Sequence, residues 1–70
     1  MTHGKRAYRA IKDMAERNGT TFREECEKIG VTTEAVRYWK RNKYSISSIF
    51  LEAMHRLGYD IIYILTGEPT

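Results

Sequence analysis

The residues best suited to chemistry stand together between Thr32 and Lys43, in the stretch Thr-Thr-Glu-Ala-Val-Arg-Tyr-Trp-Lys-Arg-Asn-Lys. From Arg37 to Lys43 there are four positive charges and no negative one. A guanidinium pairs bidentately with the acceptor edge of guanine, so Arg37 is the candidate base reader. Thr33 suits a base edge or a thymine methyl, and Tyr38 a base, a sugar or a phosphate. Lys40, Arg41 and Lys43 suit phosphates, which position a protein without reading sequence. Thr32, at a helix start, presents its own amide to a phosphate. Glu34 has two readings: it accepts from a cytosine amino group, or it orients Arg37 three residues on within the protein. Either way, the chemistry indicated is recognition of a polyanion.

Other chemistries find little support. His3 and His55 are far apart, and with the single Cys26 they make no zinc spacing. Cys26 reads as a core thiol. Ser47-Ser48 has no histidine base set near it in any motif, and no glycine-rich phosphate loop exists. The expectation is a non-enzyme with no catalytic residue, metal, cofactor or small-molecule substrate.

These residues need a helix to carry them, and the apolar spacing supplies one. At about 100° per residue, Val36 and Trp39 form the buried edge of a helix over 33–42, with Ala35 beside them. Glu34, Arg37, Tyr38 and Arg41 then point outward. Before it, Tyr8, Ile11, Met14 and Ala15 make one stripe of a helix over 5–18, with Arg6, Arg9, Asp13, Glu16 and Arg17 on the opposite face. Met1–Gly4 is expected to fray. Thr21-Phe22-Arg23-Glu24 has the capping-box form that opens a helix over 22–29, with Phe22, Cys26 and Ile29 inward. Ser47 caps a helix over 48–57, with Ile49, Ala53, Met54 and Leu57 inward. Asp60 caps a last helix over 61–66. Period-two alternation is absent. The 70 residues therefore predict one compact, all-α, five-helix domain with thin stability.

The segment Thr21–Asn42 meets the demands of a helix-turn-helix in register. Cys26 is the small residue at the helix crossing, Gly30 the turn, Thr32 the cap, and Val36 and Trp39 the anchors. A plain helical hairpin also uses a glycine turn and apolar anchors. The uniformly basic stretch after Val36 favours the DNA-binding reading. Charge is polarised in the same sense: residues 1–44 hold 11 Lys/Arg against 6 Asp/Glu, whereas residues 45–70 hold 1 against 3.

At these residues the chain resembles the Cro/repressor-type family (lambda-repressor-like, xenobiotic-response-element type) of phage and bacterial transcription regulators. Cys26…Gly30-Val31-Thr32…Val36…Trp39 carries the first likeness. Leu57-Gly58-Tyr59-Asp60-Ile61-Ile62-Tyr63-Ile64-Leu65-Thr66-Gly67 is similar to the ending of phage-repressor DNA-binding domains and carries the second. The resemblance implies a double-stranded DNA partner and a repressor acting in the cytoplasm. Tyr44, Tyr59, Ile62 and Tyr63 are more apolar than a solvated surface requires, which reads as core closure or, as the resemblance implies, as a C-terminal dimer patch at Tyr59, Ile62 and Tyr63. There are departures: Cys26 stands where alanine is usual, Lys40 where glutamate is frequent, and Phe22 where a phosphate-binding glutamine is usual. Val31–Trp39 is also similar to the reading helix of mercury-resistance-type regulators, whose motif opens the chain and precedes a β-wing. An antitoxin of a toxin–antitoxin pair, and a helical protein-interaction module, are the alternative functions. No run approaches the roughly 20 apolar residues that span a bilayer, and the lone cysteine fits a reducing compartment.

Overall fold

The computed structural model of the chain describes residues 3–41 and 46–68. Among the described residues five helices follow one another: α1 (His3–Asn18), α2 (Phe22–Ile29), α3 (Thr33–Arg41), α4 (Ser48–Arg56) and α5 (Ile61–Thr66). No strand occurs among the described residues. α1 begins two residues before its expected start. α4 stops one residue short, with Leu57 as its C-cap. The expected last residue of α3, Asn42, lies outside the described residues.

Local chemistry accounts for the joints. Both halves of the capping box form: Glu24 N–H donates to the Thr21 hydroxyl at 3.1 Å, and Thr21 N–H to the Glu24 carboxylate at 2.9 Å. Gly30 closes α2 in the left-handed region, φ 90°, and donates its N–H to the carbonyls of Cys26 and Glu27. The Ser47 hydroxyl and the Asp60 carboxylate cap α4 and α5.

α1 is the central element and packs on α3, α5 and α2. Its Ala7 and Ile11 join Cys26, Val36, Met54 and Ile64 at the centre of the core. Two residues of α1 depart from the sequence reading. Gly4, expected in a frayed end, is buried where α1 crosses α3. A Cβ at that position would stand 1.9 Å from the Trp39 carbonyl oxygen. Glycine thus permits a close approach of α1 to α3. Arg6, expected on the polar face, is buried. Its Nε donates to the Ile64 carbonyl at 2.8 Å and its Nη2 to the Leu65 carbonyl at 3.0 Å. Those carbonyls lie at the C-terminus of α5, where a helix leaves acceptors unsatisfied and favours positive charge.

α4 is rotated from its expected setting. Ile49 is 72% exposed and Leu57 40%. Phe50 and Leu51 pack beside Met54 in their place. The cause is Trp39, whose ring lies 5.6 Å from that of Phe50 at an interplanar angle of 50°. A tilted aromatic pair buries more area than Ile49 offers and adds its own quadrupole attraction.

Candidate nucleic-acid interface

α3 turns two anchors inward and leaves the rest outside. Val36 is fully buried and Trp39 nearly so. Glu34, Arg37, Tyr38, Lys40 and Arg41 are exposed, and Thr33 and Ala35 are half-buried. Thr32 is exposed too, and its hydroxyl accepts from Ala35 N–H at 3.0 Å, which caps the helix. Lys43 lies outside the described residues.

Glu34, Arg37 and Arg41 share the outermost strip, as the spacing predicts. The expected contact between Glu34 and Arg37 is not found: no ion pair joins them among the described residues. Tyr38 borders the strip at 48% exposure. Lys40 is turned aside. Its ammonium sits 4.5 Å from the centroid of the Tyr8 ring on α1, within cation–π range.

At the other end of α3, an open hollow of about 370 Å³ separates it from α2. Arg23, Glu27, Thr32, Thr33 and Glu34 line it, with Cys26 at its floor. Sequence reasoning passed over Arg23, which stands beside the start of α3 and pairs loosely with Glu27 at 4.0 Å. Its only sequence signal was exposure on α2. Cys26 is 1% exposed, and burial pushes its thiol up, opposed by the nearby charge of Arg37.

The C-terminal residues carry apolar surface of their own. Ile62 is 57% exposed and Leu65 37%. Tyr63 is half-buried. Tyr59 does not belong to this patch. It is 6% exposed within the core, and burial raises its phenol above the ordinary tyrosine range. Its ring closes the core between α4 and α5, which takes it out of reach of a partner. His55 is exposed on α4. Among the described residues no three His, Cys, Asp or Glu stand together as metal ligands, and no helix is long and apolar enough to cross a membrane.

Comparison with family models, with curated proteins and with solved structures finds no match to this chain.

Proposed function

We propose that the chain is a cytoplasmic, phage-type transcription regulator that binds double-stranded DNA sequence-specifically as a repressor. In this reading α2, the Gly30 turn and α3 make a lambda-repressor-like helix-turn-helix, and α3 lies in the major groove. The observation that carries it is the outer strip of α3. Nothing among the described residues covers it, and Arg37 and Arg41 project from a helix whose Val36 and Trp39 hold it rigidly to the core.

An α-helix fits the major groove, where each base pair shows a distinct donor and acceptor pattern. Arg37 reads a guanine, Thr33 and Tyr38 contact neighbouring bases or sugars, and Glu34 accepts from a cytosine amino group. Thr32, Lys40, Arg41 and Lys43 meet phosphates, which set the register of the helix. The chain acts by binding and not by catalysis. Ile62, exposed on α5 beside the half-buried Tyr63, offers a second copy an apolar contact, and pairing of two copies suits half-sites about 34 Å apart. The same exposed residues favour a second reading, a helical module whose partner is a protein; an antitoxin would combine both surfaces.

Selection of duplexes from a random pool, followed by salt titration, separates these readings. DNA binding requires affinity that falls steeply with salt. Arg37→Ala is expected to weaken binding by about 1–3 kcal/mol and to relax preference at one base pair. A flat salt response overturns the reading. Uniform weakening across all sequences moves Arg37 to the backbone contacts.

A further inference from the structure

We propose that the N-terminal half of α1 is a second phosphate-binding surface, gripping the backbone of the same duplex that α3 enters. The proposal rests on the DNA-binding reading above.

Lys5, Arg9 and Lys12 are exposed at positions i, i+4 and i+7 of α1, which places them on one face. Tyr8 stands among them. From α3, Lys40 reaches across to the same ring, and the Lys12 ammonium lies 5.6 Å from its centroid. Together these five residues line an open hollow of about 410 Å³, with no carboxylate among the described lining residues. Asp13 lines the neighbouring hollow beside Arg17 and Tyr63. Lys12 and Lys40 thus bring two cations from two helices to one ring, and Lys5 and Arg9 line the same hollow. Their mutual repulsion is eased by the ring quadrupole and by water, and a bound anion would relieve it further.

Two features indicate a duplex backbone as the occupant. The first is continuity. Lys40 is three residues from Arg37, and Arg37 four from Arg41, so the cations run without a break from the outer strip of α3 onto α1. Packed helices lie about 8–10 Å apart, and Gly4 brings these two close together. The major groove is about 12 Å wide. A helix packed beside one inside the groove therefore faces the phosphates of its wall. The second is the state of Tyr8. Its ring packs on Phe22, centroids 5.2 Å apart, and carries two ammonium groups. It is not open for a base to stack upon, so the hollow suits phosphate and not a single-stranded base.

The test compares the parent protein with the Arg9→Gln/Lys12→Gln double variant on one selected duplex over a range of salt. Two lost phosphate contacts should make the plot of log affinity against log salt shallower by about 0.9 for each. Preference among sequences should be unchanged, and the circular-dichroism melt should match the parent's. An unchanged slope and affinity, with the parent binding duplex, overturns the proposal and leaves the DNA-binding reading standing. Altered preference at a base pair overturns it too, by moving these residues to base contacts. If the parent binds no duplex, the DNA-binding reading fails, and this proposal fails with it.

Discussion

Replacing Gly4 with alanine is expected to destabilise the protein, although alanine is much the better helix former. The added methyl would stand 1.9 Å from the Trp39 carbonyl oxygen, 2.3 Å from its carbonyl carbon and 2.9 Å from its Cβ. Comfortable contacts begin near 3.5 Å. The two nearest atoms are backbone, so no rotamer change can clear them. The first turn of α1 has to move outward by roughly 1–2 Å, and the neighbouring core contacts loosen with it. Overpacking against backbone at such distances falls at the upper end of the usual range, about 2–3 kcal/mol. The propensity gain from glycine to alanine returns at most about 1 kcal/mol. The net loss is therefore about 1–2 kcal/mol, which lowers the melting temperature of a domain this size by about 5–15 °C. Thermal unfolding followed by circular dichroism measures it directly. An unchanged or higher melting temperature would refute the close crossing, because propensity alone would then govern the site. Trp39 also anchors α3, so the proposed binding of duplex DNA should weaken in the same variant.

Arg6→Met keeps an unbranched apolar stem but is shorter and removes both donors to the Ile64 and Leu65 carbonyls. A loss of about 2–4 kcal/mol in chemical denaturation is expected, since hydrogen bonds from a charged group are worth about 1.5–3 kcal/mol each and do not add fully. A loss below about 1 kcal/mol would show that α5 does not depend on this tie. Tyr59→Phe should be neutral or stabilising by up to about 1 kcal/mol, because the buried hydroxyl finds no hydrogen-bond partner among the described residues; clear destabilisation would show the hydroxyl to be bonded. Glu25 is buried, its carboxylate accepting from the Thr20 hydroxyl at 2.6 Å and from Lys28 at 2.9 Å. The Thr20 hydroxyl first, then Lys28, hold its carboxyl below its ordinary value of 4.5. Its contribution is therefore complete above about pH 4.5 and is lost as pH falls through the lower folded-state value. Denaturation measured against pH should show a loss that Glu25→Gln lacks; parallel curves for the two proteins would contradict this account.

The sequence by itself determined the elements. Helix starts were legible wherever a side chain caps its own backbone: Thr21 with Glu24, Thr32, Ser47 and Asp60 all act within a few residues of themselves. The buried edge of α3 was legible because Val36 and Trp39 are spaced by the helical period, and that spacing also set which residues of α3 face outward. Tertiary structure decided what depends on a distant partner. Gly4 is essential only because Trp39 crosses it, and Arg6 leaves the polar face only because α5 ends beside it. Phe50 displaces Ile49 because Trp39 offers a ring to pack on, and Tyr59 closes the core instead of joining the apolar patch. The hollow around Tyr8 belongs to the same class. Its lysines and arginine gather around the ring only because the packing of α3 on α1 brings Lys40 over it. Capping and periodicity are local, so one stretch of chain contains them; helix crossings and charge clusters join residues far apart in sequence, and folding alone brings those together.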